Sequence, residues 1–321
     1  MILPAAPDVL AAARRLRGVT VRTPCSYSAP LSARAGTETH IKWESQQSTG
    51  SFKLRGAFNA LLTMPVEERR RGVVVASAGN HGLGIAYAAR TLGMRARVYV
   101  PVSAPQVKRD GIAAMGAEIN ATEPHYDAAH DAAVAYAARE GMTFVSPCSG
   151  RPLLAGQGTV GLEILEDLPS VRTLVVPVGG GGLAGGIAVL VRAVAPHVRI
   201  VGVQSELTNA MAASLASGRR TTVPVVPTLA DGLAGQVDDA GVVIGRFALD
   251  EIVEVTEREI AESMAWLSRV HGARVEGSGA VGVAALLARG NWEGPVAAIV
   301  SGGNVDQRVW SEIVGETAAV A

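Results

Sequence analysis

The sequence predicts an α/β fold. Short runs rich in β-branched residues alternate with Ala-rich helical stretches along 321 residues, which is typical of βα units around a mostly parallel sheet. The chain is long enough for two domains or one large α/β unit with a sizeable core. No internal repeat or low-complexity segment interrupts the alternation.

Eight strands are predicted, at 40–43, 72–76, 96–101, 142–145, 173–178, 200–204, 252–255 and 296–300. Nine helices are predicted, at about 7–16, 52–63, 80–92, 105–115, 127–140, 158–167, 183–194, 257–270 and 279–289. The Pro-rich stretch 223–228 predicts a loop, and no linker marks a domain boundary.

Composition favours a small-molecule partner. Lys plus Arg and Asp plus Glu number 29 each, so no overall field attracts nucleic acid or an anionic membrane. Cys25 and Cys148 lie far apart, which predicts neither a disulfide framework nor a zinc site and favours the cytoplasm. Charged residues interrupt the N-terminal apolar stretch, so it predicts an amphipathic helix rather than a signal peptide, and no run approaches the ~18 apolar residues of a membrane span.

The segment STGSFKLRGAFNA (48–60) places Lys53 in the first turn of a predicted helix. The positive end of the helix dipole there disfavours the ammonium form, and a neutral amine is what Schiff-base formation requires. An isolated lysine is ordinarily a solvated surface residue, so the neighbouring motifs decide between the two interpretations.

A second segment, VVVASAGNHGLGIAYAA (73–89), predicts a buried strand, a turn of small residues and a helix. Ser77, Gly79 and Asn80 would present backbone and side-chain donors at the helix N-terminus, which suits a carboxylate. An ordinary N-cap explains the serine and the asparagine but not the two flanking glycines.

A third segment, LVVPVGGGGLAGGIAVLV (174–191), predicts a buried strand that runs into four glycines and a helix. Consecutive glycines allow successive N–H groups to converge on one phosphate. Gly180, Gly182 and Gly185 also fit the G-x-G-x-x-G pattern of dinucleotide folds, with the acid Glu206 about 20 residues further on. In VAAIVSGGNVD (296–306), Ser301 ends a strand and would point into the ligand crevice.

In this order, the four segments resemble the serine/threonine dehydratase and serine racemase family of fold type II pyridoxal 5′-phosphate (PLP) enzymes, the group similar to tryptophan synthase β. The likeness continues through AGQGTVGLEIL (155–165) and TLADGL (228–233), and it displaces the dinucleotide interpretation. The resemblance implies two open, twisted, mostly parallel sheets with the active site between two domains. We expect a large PLP-binding domain from 1–66 and 148–321 and a small domain from 67–147.

The resemblance assigns roles to the cofactor site. Lys53 is similar to the Schiff-base lysine, and Asn80 matches the asparagine that bonds the PLP 3′-oxygen. Ser301 matches the residue that faces the pyridine nitrogen, where a neutral hydroxyl cannot hold the nitrogen protonated. The phosphate cradle corresponds to Gly179, Gly180, Gly181 and Gly182.

The resemblance also implies the reaction. The substrate carboxylate would be held by the loop formed by Ser77, Ala78, Gly79, Asn80 and His81. Lys53 would then remove the α-proton and the β-hydroxyl would leave, which gives a 2-keto acid and ammonia from L-threonine or L-serine. A homodimer is also expected, with a small amino acid as the substrate and no nucleic acid or membrane partner.

Two departures from the family's sequence pattern bear on the expected reaction and on metal binding. Ala78 stands where racemases have a second serine as a base, so efficient racemisation is not expected. Gln204, Thr208 and Ala210 occupy the divalent-metal positions of racemase-like members without a carboxylate, so no metal is predicted.

Three alternatives remain open from the sequence. Leu83, the segment 146–152 and the Glu276 region are similar to a branch that degrades hydroxyectoine or other unusual β-hydroxy amino acids. A PLP-dependent β-replacement enzyme would share the same lysine and glycine loop, and a PLP carrier would bind the cofactor without turnover. The sequence does not assign roles to Glu276, as an acid near the ring or a helix N-terminal residue, or to Cys148.

Overall fold

The computed structural model describes residues 3–320, which form two sheets and the helices that cover them. The strands are β1 (Cys25–Tyr27), β2 (Thr39–Trp43), β3 (Val73–Ala76), β4 (Ala96–Pro101), β5 (Glu118–Glu123), β6 (Thr143–Phe144), β7 (Thr173–Pro177), β8 (Arg199–Ser205), β9 (Glu251–Val255) and β10 (Val296–Val300). The helices are α1 (Ala6–Leu16), α2 (Ala29–Ala35), α3 (Lys53–Thr63), α4 (Val66–Arg71), α5 (Asn80–Thr91), α6 (Gln106–Ala113), α7 (Tyr126–Glu140), α8 (Arg151–Asp167), α9 (Gly182–Val194), α10 (Ala210–Ser217), α11 (Asp239–Ala248), α12 (Glu257–His271), α13 (Gly277–Ala288) and α14 (Gln307–Val320). Short 3₁₀ turns occur at Glu44–Gln46, Glu206–Thr208 and Asp231–Leu233.

The larger sheet has six strands in the order β1-β2-β10-β7-β8-β9, all parallel except β1, which pairs antiparallel with β2 at the edge. Every residue of the central strands β7 and β10 is buried, because helices cover both faces of the sheet. Helix α13 is apolar nearly all round and packs within the main core, as a fully enclosed helix should.

The smaller sheet has four parallel strands in the order β5-β4-β3-β6. It is built entirely from residues between Val73 and Phe144, whereas the strands of the larger sheet precede and follow this segment. This separation agrees with the α/β class, and the domain boundaries at 66/67 and 147/148 stay a prediction. Within residues 3–320 no helix combines the length and the apolar character needed to cross a lipid bilayer.

All eight predicted strands and all nine predicted helices are present, with β4 and β10 at the expected bounds. The sequence prediction was wrong in leaving out β1 and β5, which are short or largely polar strands with little apolar periodicity. It also left out five helices, namely α2, α4, α10, α11 and α14. Predicted strand 142–145 shortens to β6, and the stretch 223–228 is irregular, as expected.

Helix α8 begins at Arg151, seven residues before the predicted start, because its glycines are contact points rather than helix breakers. A Cβ on Gly156 would lie 2.7 Å from the Gly56 Cα of α3, so the two helices approach backbone to backbone. Two residues later, a Cβ on Gly158 would lie 2.5 Å from the Gly186 carbonyl oxygen of α9. Helix α8 therefore packs closely between α3 and α9, the two helices that follow the lysine and glycine motifs.

A buried ion cluster fixes α3 against the rest of the larger sheet. The Arg55 guanidinium is almost fully buried and donates to both Glu44 oxygens at 2.8 Å and to the two Glu163 oxygens at 2.7 and 2.8 Å. Lys42 Nζ also donates to Glu163, at 2.6 Å. Burial opposes ionisation of Glu163, but Arg55 and Lys42 outweigh it and lower the pKa of this carboxyl. The cluster joins α3 to β2, α8 and the Glu44 turn.

Replacement of Arg55 by Met should lower the free energy of unfolding by about 3 to 5 kcal/mol, because it leaves the Glu44 carboxylate buried without its charged partner. Urea denaturation followed by circular dichroism measures the loss. Arg22→Met is the matched control, since Arg22 pairs with Glu166 and Asp167 where the side chains are partly exposed, and its loss should cost about 1 kcal/mol or less. Equal losses in the two variants would contradict a structural role for the buried cluster.

Candidate active site

Lys53 is the first residue of α3, and its side chain is held against the protein rather than fully exposed. The Nζ atom donates to the Pro147 carbonyl at 2.9 Å, and the side chain is half-buried. The preceding residue, Phe52, donates its backbone N–H to the Ser301 carbonyl at 3.1 Å. The start of α3 is therefore tied to the end of β10, and the two motifs that were predicted to share a site lie together.

The chain contains three lysines, and the other two are neutralised by carboxylates. Lys42 pairs with Glu163 at 2.6 Å, and Lys108 pairs with Asp231 at 2.7 Å. Lys53 has no carboxylate partner among the residues that the structure describes. Lys53 is thus the one lysine of the three whose amine is not in an ion pair with a described carboxylate.

The four glycines form the turn between β7 and α9. Gly181 adopts φ +86°, a left-handed conformation that favours glycine, and no side chain caps the helix that begins at Gly182. A Cβ on Gly180 would lie 2.7 Å from Cys148 Sγ, so the loop and the Cys148 segment are in close contact. The turn offers uncapped backbone N–H groups at a helix N-terminus, which is a site for an anion.

Residues 77–79 connect β3 to α5, with Gly79 as the N-cap residue, and Asn80 and His81 begin the helix. Ser77 Oγ accepts from the Gly79 N–H at 3.2 Å, so the loop closes on itself. The His81 ring turns inward, where Nε2 lies 3.2 Å from the Val145 carbonyl. Burial, assisted by the Lys53 charge, lowers the pKa of His81 to about 3. The ring is therefore neutral, buried and directed to Val145.

Asn80 is held at both ends of its amide. Its Nδ2 donates to Glu276 Oε1 at 2.7 Å, and its Oδ1 accepts from Asn304 Nδ2, also at 2.7 Å. Asn304 Nδ2 donates in addition to the Thr49 carbonyl at 2.7 Å. The first helical turn of α5, the segment before Lys53 and the loop after β10 are thereby joined in one hydrogen-bonded chain.

Glu276 is buried as the N-cap residue of α13, and it faces Asn80. Burial raises the pKa of this carboxyl to about 7, with a smaller contribution from the charge of Asp231, although Asn80 and the Asn304 backbone both donate to it. The sequence leaves open whether Glu276 is an acid near the ring or a helix N-terminal residue. The structure shows the helix N-terminal position, with the side chain bonded to Asn80, and the role near the ring stays a prediction.

Ser301 lies at the carboxyl end of β10 and is buried. Its hydroxyl donates to the Ser278 carbonyl at 3.4 Å, and Ser278 Oγ in turn accepts from the Gly232 N–H at 2.8 Å. An antiparallel bridge between Ser51 and Gly302 fixes the following loop to the segment before Lys53. The hydroxyl is therefore placed by α13 and by the loop that contains Gly232.

Gln204, at the position where a metal-binding carboxylate would stand, is a fully bonded amide. Its Nε2 donates to the carbonyls of Val178 and Thr208 at 3.0 and 3.1 Å, and its Oε1 accepts from the Ala212 N–H at 3.0 Å. The amide therefore links the end of β7 to the start of α10 in place of a charged group.

Sequence reasoning did not identify three residues that organise the site. In the sequence, Asn304 and Arg55 stand out only as members of the segments 296–306 and 48–60. Lys108 belongs to no sequence motif, although its pair with Asp231 links α6 to the 3₁₀ turn at Asp231–Leu233. The partners of Lys108 and Asn304 lie more than 100 residues away along the chain. Bonds between such distant residues leave no periodic pattern in the sequence, so they could not be predicted from it.

The chain is similar in sequence and in fold to known proteins. A family model described as "Pyridoxal-phosphate dependent enzyme" matches residues 16–302. The L-threonine ammonia-lyase of Thermotoga maritima is 42% identical over 96% of this chain and 78% of its own length. The catabolic L-threonine dehydratase of Escherichia coli K12 is 39% identical over 96% of this chain and 95% of its own. Maize serine racemase superposes with a TM-score of 0.91 at 29% identity and covers 99% of both chains.

Glu276→Gln should change stability in a pH-dependent way. Because the pKa of Glu276 rises from 4.5 to about 7 on folding, its stabilising contribution is present below about pH 4.5 and is lost as the pH rises to about 7. Relative to the wild type, the glutamine variant should therefore gain about 3 kcal/mol between pH 4.5 and pH 8. Urea denaturation of the apoprotein at both pH values measures this, and a difference that does not change with pH would contradict the buried, weakly acidic carboxyl.

Proposed function

The chain belongs to the pyridoxal-phosphate dependent enzyme family, and from this premise we propose that it is a PLP-dependent threonine ammonia-lyase. It would convert L-threonine to a 2-keto acid and ammonia. The names of relatives at 42% and 39% identity, a threonine ammonia-lyase and a threonine dehydratase, support this substrate. The observation that carries the assignment is the one lysine amine without a carboxylate partner. It bonds to Pro147, next to the Cys148 segment that contacts the glycine turn, and it follows Phe52, which bonds to the buried Ser301.

The residues present fit the cofactor. Covalent attachment requires an amine that is not held in an ion pair, a condition that Lys53 meets and that Lys42 and Lys108, each paired with a carboxylate, do not. Gly179, Gly180, Gly181 and Gly182 would hold the phosphate. A Cβ on Gly180 would press against Cys148, and Gly181 has a left-handed backbone, so the turn suits glycine for steric reasons besides the anion.

Two further side chains would contact the cofactor ring. Asn80 would donate to the 3′-oxygen, and the Ser301 hydroxyl would face the ring nitrogen. A hydroxyl, unlike a carboxylate, does not hold that nitrogen protonated. When bound, PLP supplies an aldehyde that combines with the substrate's amino group and a ring that takes up the electron pair released at the α-carbon.

The protein's own groups bind the substrate and move its α-proton. The loop of residues 77–81 would bind the carboxylate through backbone N–H groups at the start of α5, including that of Asn80, and through the Ser77 hydroxyl. The Lys53 amine would take the proton from the α-carbon. His81 would support the loop from inside rather than act as a base, because its ring is neutral and directed to Val145.

Ala78 supports lyase rather than racemase activity. Exchange of configuration requires a second acid or base on the face opposite Lys53, and the methyl group of Ala78 cannot carry a proton. The proposed route therefore ends in loss of the β-hydroxyl from the substrate rather than in return of the α-proton to the other face.

We further propose that the substrate enters between a small domain of residues 67–147 and a large domain formed by the rest of the chain. Both cysteines are free thiols, which supports the cytoplasm as the compartment. The expectation of a homodimer rests on the family resemblance, and light scattering of the purified holoenzyme tests it.

Lys53→Ala should lower keto-acid release from L-threonine by about a thousandfold or more, because it removes both the cofactor anchor and the proton acceptor. A coupled assay of 2-keto acid with PLP in excess measures the loss. Lys53→Arg is the matched variant, since it keeps the charge but cannot form the imine, and it should be equally inactive. Partial recovery of the alanine variant by a small primary amine would show that the fold is intact, whereas near-normal turnover without added amine would overturn the assignment.

A substrate panel separates the alternatives. The proposal predicts keto-acid release from L-threonine and L-serine without a co-substrate. A preference for bulkier β-hydroxy amino acids would favour the hydroxyectoine-related branch, and product formation only with added sulfide or thiol would favour β-replacement. Bound PLP with no turnover of any substrate would indicate a carrier.

A further inference from the structure

The Asn80 amide is fixed in one orientation by its neighbours. Turning it over would set its oxygen against the Glu276 carboxylate and its nitrogen against Asn304 Nδ2, so like groups would face each other at both ends. Asn304 cannot turn to compensate, because its Nδ2 also donates to the Thr49 carbonyl. The orientation of the amide thus depends on Glu276 at one end and on Asn304 at the other.

Donor counting leaves one hydrogen of Asn80 uncommitted. An amide nitrogen carries two hydrogens, and among the described residues Glu276 is the one acceptor for Asn80 Nδ2. The second hydrogen is available on the same rigidly held nitrogen. Its direction is set by the bond to Glu276, because the two hydrogens share one amide plane.

The charges around Glu276 are few. Asp231 of the 3₁₀ turn and Lys108 of α6 act on it through space, but they pair with each other at 2.7 Å, so their effects on the carboxyl oppose one another. From α5 and from the loop after β10 come uncharged donors, the Asn80 amide and the Asn304 N–H. Asn80 and Glu276 are therefore linked without a fixed positive charge in direct contact.

We propose that Glu276 is a positioning residue for the cofactor that acts through Asn80: it directs the second Nδ2 hydrogen to the 3′-oxygen, and its own proton changes the surroundings of that oxygen. The inference rests on the proposed contact between Asn80 and PLP. The pKa of Glu276 lies near 7, so the change in charge falls within the working range of pH. Above about pH 7 the ionised carboxylate accepts the Asn80 hydrogen in a charge-assisted bond. Below about pH 7 the carboxyl is neutral and accepts the same hydrogen more weakly.

The test compares the visible absorbance band of bound PLP across pH in four holoproteins: wild type, Glu276→Gln, Glu276→Ala and Glu254→Gln. The last is the matched control, because Glu254 accepts from the Asn209 amide at 3.2 Å in a similar asparagine–glutamate pair on β9. Wild type and Glu254→Gln should show a shift of the band with a midpoint near pH 7, and Glu276→Gln should lack it. Glu276→Ala should bind PLP about tenfold more weakly, while Glu276→Gln, which keeps an acceptor for Asn80, should bind within about threefold of wild type.

The outcomes separate this inference from the proposed function. Persistence of the transition in Glu276→Gln, or wild-type PLP affinity in Glu276→Ala, would overturn the role of Glu276 even if the enzyme is active. Failure of the wild-type protein to bind PLP at all would instead overturn the proposed function. If Glu276→Ala does not fold, the glutamine variant alone decides, since its transition is either present or absent.

Discussion

The buried pairing of Arg55 with Glu44 and Glu163 is the constraint on which the placement of Lys53 depends. Arg55 lies two residues after Lys53 on the same helix, and its carboxylate partners belong to α8 and to the turn after β2. Close glycine contact between α3 and α8 sets the distance between the two helices. The ion cluster sets the rotation of α3 about its own axis. The amine at the start of α3 is consequently held by a rigid part of the core.

The site is completed by segments far apart in the chain that bond to one another. The loop after β10 accepts from Phe52, bridges to Ser51 and donates from Asn304 to both Thr49 and Asn80. Because Asn80 starts the helix that follows the central strand of the smaller sheet, this chain of bonds joins the two sheets at the lysine. The Cys148 segment contacts the glycine turn before α9, and its neighbour Pro147 accepts the hydrogen bond of the lysine amine.

The sequence was sufficient for the elements with strong local patterns. The motifs around Lys53, Asn80, Gly180 and Ser301 each follow a strand or open a helix, and such positions can be read from apolar runs and glycines. What could not be predicted depends on long-range contact. The sequence predicts too late a start for helix α8, because its glycines are typical of a loop unless their packing partners are known. The bond of Asn80 to Glu276 could not be predicted because it joins residues 196 positions apart.

The most direct test is to reduce the holoprotein with borohydride and locate the labelled lysine by peptide mass spectrometry. Three lysines are available to compete, of which Lys42 is buried in an ion pair and Lys108 pairs with Asp231. The structure predicts a single phosphopyridoxyl adduct, on Lys53. An adduct on either of the other lysines, or no adduct in a protein that carries tightly bound PLP, would contradict the assignment of Lys53 as the cofactor's anchor.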